Sequence, residues 1–509
     1  MSKKNVEYPS RGFKDANDFI THLENDDEQK WRERGEEQAL ALFRAMAERV
    51  PAYKDFLKKN NISAGKIETI EDFKQVPTVD KNNYLRSYPL PDLSWDGKLA
   101  EEQLIISTTS GSTGEPFYFP RTREQDLQYA LLAEGYLRTN FKIHERRTLY
   151  INGFPMGAWI GGVFTYSAVR EIAERRKYPL SIISPGVHKL EILKAVQTLG
   201  PYFDQVLIGS YGPFLKDIID DGTALGIDWK RYNLGFIFSA EGFTEGFRDY
   251  VLEKGGVQDT YRGSLNHYGT VDLGTMSYET PLAVLARREA LSKKDIYQGL
   301  FGDTIQLPTF TQYVPELFYF ESNEGNLICS GASGLPLVRY DLKDRGGILP
   351  FEQGVRIFSE NGVELLARAK EVGISDTVWK LPFVYVYERS DFSVSFYAFQ
   401  IYPETIRRAL QASGLNGLVT GKFTMLVDFD ENQNQYLQLH VELKGGQKSD
   451  VSVAEKVREG IHKKLLEESS EYRETYNVKK EKVLPRVTLW AYEDPTHFRP
   501  GIKQKWVKK

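Results

Sequence analysis

The apolar positions of this chain change period along its length, and each change marks a different kind of structure. Ala39, Leu42, Phe43, Met46 and Val50 recur at helical spacing, so a buried stripe is expected there, with Pro51 stopping the helix. The first hundred residues read as helical and peripheral. From about Arg147 short apolar runs at 148–151, 181–184, 205–208 and 234–238 alternate with amphipathic stretches at 190–199, 214–219 and 245–252. Strand–helix–strand alternation predicts a mostly parallel sheet with helices on its faces, and ligands at the carboxyl ends of its strands.

After Tyr278 helical patterns become rare. The runs 317–320 and 327–330 flank Asn323-Glu324-Gly325, a hairpin signal. Near residue 388 the character shifts again. Phe423, Met425 and Val427 alternate, as do Leu437, Leu439, Val441 and Leu443, with turn residues between the two runs. Val453, Val457, Ile461 and Leu465 then repeat every four residues. The expected architecture is α/β: a large domain over 1–388, with a helical lead-in to about residue 100, and a small α+β domain over 389–509.

Composition narrows the class. The chain has 509 residues, 41% hydrophobic and 27% charged, which suits a globular protein with more than one core. Its 66 Lys and Arg nearly balance 70 Asp and Glu, for a net charge of −4, so neither a nucleic acid nor a membrane is an expected partner. Cys329 is the only cysteine, which excludes an internal disulfide and a cysteine metal cluster, and its strand-like surroundings point to a buried inert thiol. The polar N-terminus has no signal core, and no run reaches the roughly 18 apolar residues of a membrane span. A cytoplasmic protein, monomer or homodimer, is expected.

The candidate chemistry starts at the loop after the apolar run 104–106. Ser107 to Gly114 contains six hydroxyl side chains and two glycines (Gly111 and Gly114). Glycines let backbone N–H groups close on an anion and short hydroxyls add donors, so Thr109, Ser110, Gly111, Ser112, Thr113 and Gly114 read either as a phosphate cradle or as an ordinary polar turn. The Walker spacing and its lysine are missing. Further on, Phe238-Ser239-Ala240-Glu241-Gly242 ends an apolar strand with small residues and one carboxylate. His267-Tyr268-Gly269-Thr270-Val271-Asp272 follows, then Arg339-Tyr340-Asp341-Leu342-Lys343-Asp344, and finally Glu388-Arg389-Ser390-Asp391 before Ala398-Phe399-Gln400-Ile401. Singly, each is an ordinary turn or ion pair. The seven histidines show no metal-ligand spacing, and neither a Gly-x-Ser-x-Gly elbow nor a GxGxxG fingerprint follows any expected strand.

In this order, the segments resemble the core motifs of the adenylate-forming enzymes: acyl-CoA synthetases, adenylation domains and luciferases. The similarity is greatest to the phenylacetate–CoA ligase and coenzyme F390 synthetase branch, with acyl-protein synthetases nearby, and it runs from about residue 40 to the C-terminus. The resemblance implies a large N-terminal domain of the adenylate-forming type and a small mobile lid. It implies that Thr109–Gly114 cradle the triphosphate of ATP and that Ser239, Ala240 and Glu241 border adenine and ribose. Tyr268 and Gly269 would lie on the adenine and line the acyl pocket. Asp272 stands where the family's glutamate helps hold Mg2+, Asp344 matches the aspartate that accepts the ribose hydroxyls, and Arg389 the arginine beside it. Asp391 matches the hinge. Phe154, Gly157 and Trp159 sit where the family has an acyl-pocket motif, and His267 is read as lining that pocket. Arg499-Pro500-Gly501-Ile502-Lys503 resembles the loop that bears the lysine essential for adenylation. Lys503 is nominated, with Lys505 as its rival because the spacing after the glycine differs by one residue.

The chemistry implied is activation of a small carboxylic acid, an aryl acid being compatible with the aromatic supply, as acyl-AMP with release of pyrophosphate. The acyl group then passes to a thiol such as coenzyme A, to an amine, or to a carrier protein. Several positions depart from the pattern. Phe117 stands where many relatives have lysine, leaving the phosphates to backbone donors, magnesium, and Arg121 or Arg123. Val271 replaces a threonine, and Glu388 and Ala398 each replace a glycine, the second in the loop that lines the thiol tunnel. These changes keep two alternatives open: an amide- or carrier-linked ligase without coenzyme A, and a nucleotide-binding protein without turnover.

Overall fold

The computed structural model describes residues 8–101, 103–108, 117–302, 307–389, 393–412, 414–415 and 417–498. By packing, the chain divides into two compact units, one of residues 1–107, 118–210 and 215–387, the other of 108–117, 211–214 and 388–509.

The larger unit begins with helices Ala16–Asn25, Glu28–Arg49 and Pro51–Lys59. Asp15 and Asp27 cap the first two by accepting backbone amides. Pro51 takes the first turn of the third helix, so it ends the striped helix by starting another. All five residues of the expected stripe are buried.

Strands β1 (Leu104–Thr108) and β2 (Tyr118–Thr122) form a two-stranded ribbon. The next strands are β3 (Thr148–Asn152), β4 (Leu180–Ile183), β5 (Gln205–Tyr211), β6 (Leu234–Ser239), β7 (Ser264–Thr270) and β8 (Gly274–Tyr278). They are followed by β9 (Thr309–Gln312), β10 (Phe318–Asn323), β11 (Asn326–Gly331), β12 (Leu337–Leu349) and β13 (Phe383–Arg389). From β3 on, these strands make one 11-stranded sheet in the order β10-β11-β12-β13-β9-β8-β7-β6-β5-β3-β4. β3 runs parallel to β4 and β5, and β6 to β7. The Val206 amide meets the Asn233 carbonyl, so β5 and β6 also start together. β3 sends its connection outward to β4, whereas β5 sends its own toward β6, which puts a topological switch point between β3 and β5.

The expected parallel alternation holds from β3 to β7. Beyond it the sheet is antiparallel, β7 with β8, β8 with β9 and β9 with β13. The hairpin at Asn323–Asn326 turns through Glu324 and Gly325, both with positive φ (50° and 78°), as a two-residue turn requires. One expectation is corrected. Helices do not become rare after Tyr278: Pro281–Ser292, Lys294–Phe301, Phe351–Glu360 and Leu365–Glu371 are helical. The first of them buries Leu282, Ala283, Val284, Leu285 and Ala286 in succession. A helix covered on all sides shows no amphipathic period to read. Cys329 lies buried in β11, where burial pushes its thiol up.

In the smaller unit β14 (Val394–Phe396) and β15 (Phe399–Ile401) pair through a tight turn, β16 (Val419–Phe429) runs antiparallel to β17 (Gln435–Leu443), and β18 (Arg486–Trp490) lies parallel to β17. Phe423, Met425, Leu437, Leu439, Val441 and Leu443 are buried, as are Val457, Ile461 and Leu465 of the helix Val451–Glu468. No helix among the described residues is long and apolar enough to cross a membrane.

Candidate active site

The carboxyl ends of the parallel strands carry most of the residues singled out in the sequence. β3 runs into Gly153-Phe154-Pro155-Met156-Gly157, which folds back on the helix Ile160–Arg176. The Gly162 amide donates to the Pro155 carbonyl, 3.0 Å, and Asn152 Nδ2 to the Gly162 carbonyl, 2.9 Å. A Cβ at residue 162 would lie 2.4 Å from the Pro155 oxygen, so only glycine fits. Phe154 is buried against Gly161 and Gly209, Gly157 takes φ 87°, and Trp159 is half-buried at the start of the helix. This loop stands at the switch point.

β6 ends at Ser239, which is in register with His267 on β7. Ala240 follows with φ 74°, a left-handed conformation that costs a residue with a Cβ roughly 1–2 kcal/mol. Two side chains hold this turn through its carbonyls. Asn266 Nδ2 donates to Glu241 O, 3.0 Å, and Arg287 donates to Phe243 O. Arg287 also donates to Pro308 O, 3.0 Å, and to Glu245 Oε1, 2.6 Å. It belongs to a buried cluster in which Arg248 binds Glu245, Ser264 and both oxygens of Glu279, and Glu279 accepts the Asn266 amide. Burial pushes the Glu245 carboxyl up, but Arg248, Arg287 and Arg288 outweigh it and hold it below the usual range.

Alternation along β7 sends His267 and Tyr268 to opposite faces. His267 packs 4.9 Å from the Tyr136 ring and beside Tyr278, its partner on β8. Burial lowers its pKa to about 3, so the imidazole is neutral, and its Nε2 finds no partner among the described residues. On the other face Tyr268 donates its hydroxyl to Asp344 Oδ2 on β12, 2.7 Å. At Gly269 a Cβ would meet the Gly274 oxygen at 2.6 Å, which explains the glycine where β7 turns into β8.

Asp272 lies buried at the tip of that turn, and Lys81 Nζ stands 3.3 Å from its Oδ1. The approach is an ion pair without hydrogen-bond alignment, since Oδ1 accepts no hydrogen bond. Lys81 arrives on a segment that joins the edge of β12: the Val79 amide donates to Arg339 O, 3.0 Å, and the Asp341 amide to Val79 O, 2.9 Å. Asp80 then accepts the Asn82 and Asn83 amides and pairs with Lys343. The resemblance implies magnesium. The described residues hold no group of three acidic, His or Cys side chains for a metal. One buried carboxylate whose Oδ1 accepts no hydrogen bond is nevertheless a fitting protein share for Mg2+, which takes phosphate and water for the rest.

The structure thus brings Phe154, Ser239, Ala240, Glu241, His267, Tyr268, Gly269 and Asp272 to strand ends of one sheet, with Asp344 bonded to Tyr268. Arg389 closes β13. Thr109, Ser110, Gly111, Ser112, Thr113, Gly114, Asp391, Lys503, Lys505 and the Arg389 side chain lie outside the described residues. Arg121 is corrected as a phosphate donor. It is turned inward, 1% exposed, bonding Ser107 Oγ at 2.7 Å and Asp126 at 2.9 Å. Arg123 instead faces Glu171 at 3.4 Å. Sequence reading missed Lys81 and the Arg287 cluster. The only trace of the first is the Asp-Lys-Asn-Asn turn signal, and of the second, charges within a helix otherwise apolar.

This is the fold of the adenylate-forming ligases. A solved structure of 2-hydroxyisobutyryl-CoA ligase, in complex with 2-HIB-AMP and CoA in the thioesterification state, is similar over 96% of this chain and 91% of its own, with TM-score 0.63 and 15% identity. The same ligase in the postadenylation state with 2-HIB-AMP matches with TM-score 0.52 and 15% identity, over 96% and 90%. No family model and no curated protein sequence matches the chain.

Proposed function

We propose that this chain is an ATP-dependent adenylate-forming ligase. It activates a small carboxylic acid, aryl or otherwise apolar, as acyl-AMP, and passes the acyl group to a thiol such as coenzyme A. The observation that carries the reading is the meeting of sequence-distant motifs at the carboxyl ends of β3, β6 and β7, in a fold shared with a ligase solved with an acyl-AMP and CoA.

In this reading Asp344 receives the ribose hydroxyls and Tyr268, bonded to it, is fixed against the adenine. The Phe154–Trp159 loop and His267 bound the acid. Carboxylate attack on the α-phosphate brings two anions together, so catalysis rests on positive charge placed where negative charge builds. Magnesium bound at Asp272 supplies part of that charge when present. Lys81 supplies more from the same corner, and Phe117 has no charge to give in place of the lysine that the resemblance expects. Lys503, from the domain beginning near residue 389, completes it once both substrates are bound.

A second reading, transfer to an amine or a carrier protein, is favoured by Ala398. It keeps φ 69° in the β14–β15 turn, where the resemblance expects glycine beside the thiol tunnel, and adds a methyl group. ATP–pyrophosphate exchange over a panel of carboxylic acids tests the proposal. Acid-dependent exchange, lost in Lys503→Ala with ATP affinity kept within several-fold, supports it. Exchange whose product does not depend on coenzyme A selects the amide or carrier branch. ATP binding without exchange for any acid overturns it in favour of a binding protein.

A further inference from the structure

We propose that Arg287 is a positioning residue for the nucleotide: its guanidinium pre-sets the Ser239–Thr244 turn against which adenine and ribose dock. The inference rests on the adenylate-forming reading. The turn is held by its main chain. Ala240 takes a left-handed φ of 74°, and such a conformation persists only where the surroundings over-determine it. Of the side chains that hold it, Arg287 has the widest reach. One guanidinium, 1% exposed, donates to Phe243 O within the turn, to Pro308 O at 3.0 Å just before β9, and to Glu245 Oε1 at 2.6 Å in the first turn of the following helix. Three acceptors in three directions need the planar fork of arginine, and a lysine offers one point charge.

The same cluster supplies an internal control. Arg248, 0% exposed, shares Glu245 and Glu279 with Arg287 but gives its remaining bond to Ser264 Oγ at 3.0 Å, and donates to no carbonyl of the turn. Loss of buried charge pairing alone acts through either arginine, and more strongly through Arg248, which binds Glu245 and Glu279 twice each. Loss of a direct bond to a carbonyl of the turn acts through Arg287 only, since Arg248 reaches the turn at one remove through Glu279 and Asn266.

The test compares Arg287→Lys with Arg248→Lys in the full chain, using an acid that supports exchange. Both variants should melt at lower temperature. Arg287→Lys should raise KM for ATP about tenfold with KM for the acid within twofold, while Arg248→Lys leaves both within twofold. Equal shifts in the two variants, or a melting change alone, assign Arg287 to stability and overturn the proposal. If Arg287→Lys does not fold, hydrogen exchange of the wild type decides. Amides of 239–244 protected without ATP to the level of β6 support a pre-set turn, and fast exchange there overturns it. A wild type that binds no ATP condemns the ligase reading instead, so the two failures are distinguishable.

Discussion

Among the turns that hold non-glycine residues in left-handed backbone, one in each unit shows an opposite means of support. In the larger unit Ala240 (φ 74°) is tied through carbonyls by Asn266 and by Arg287 from a cluster of fully buried charges. In the smaller unit Tyr397 and Ala398 (φ 48° and 69°) form the β14–β15 turn, where the Tyr397 amide donates to Gln435 Oε1, 2.7 Å, and Lys479 lies 5.6 Å from the Tyr397 ring. The first device is stiff because desolvated charges cannot separate without stranding one another. The second includes a neutral hydrogen bond and a cation–π contact, each on the order of 1 kcal/mol, and no buried ion pair among the described contacts. A rigid turn, proposed as the nucleotide's seat, and a yielding one suit a protein whose smaller domain is proposed to change pose between two half-reactions.

The contrast breaks most visibly by deletion. Glu279→Ala leaves Arg248 and the Asn266 amide without their shared acceptor, and should destabilise the larger unit by about 3–5 kcal/mol. Gln435→Ala should cost the smaller unit only about 1–2 kcal/mol. Urea unfolding followed by intrinsic fluorescence and circular dichroism measures both, and similar midpoint shifts would contradict the comparison. Next in size comes Lys81. Lys81→Met removes the only cation paired with Asp272 among the described contacts, and should slow pyrophosphate exchange about 100-fold, on the order of 2.7 kcal/mol. Undiminished exchange removes Lys81 from the charge balance.

How legible this was depends on the range of the interactions. The strands β3 to β7 and their helices follow from local periodicity, as does the hairpin at Glu324-Gly325. The helix Pro281–Ser292 was hidden because burial on every side erases the period. The Ser239, Tyr268 and Asp344 segments were found by motif, yet nothing local joins Tyr268 to an aspartate 76 positions away. Lys81 and Asp272 are further apart still, brought together by a single bridge of Val79 to β12. Arg121 shows the reverse error: a loop-side cation read as a ligand contact is in fact folded into the interior.

His267 gives a smaller effect with a definite sign. Its folded pKa of about 3 lies below the ordinary value of 6.5, so the folded state excludes a proton that the unfolded chain accepts. The contribution is therefore fully present above pH 6.5 and falls away as pH drops toward 3. Stability of His267→Gln should decline less than that of the wild type between pH 6.5 and 4. Parallel declines in denaturant titrations would show that the imidazole is not excluded from charging.

The finest comparison uses glycine at the two turns. Glycine accepts φ near +70° without the Cβ penalty but loses more entropy on folding, so the net gain at either site is about 0.5–1 kcal/mol at most. Stability should therefore rise slightly in both Ala240→Gly and Ala398→Gly. Function should separate them. At residue 240 the carbonyls on either side remain tied by Asn266 and Arg287, so ATP affinity should stay within twofold. At residue 398 the turn is tied to Gln435 through the Tyr397 amide, and removing the methyl opens the loop expected beside the acceptor, so coenzyme A-dependent product formation should rise relative to pyrophosphate exchange. A rise in Ala398→Gly alone places the acceptor step in the yielding turn. Equal behaviour of the two variants means that the left-handed residues serve folding only, and that the difference between the turns has no functional consequence.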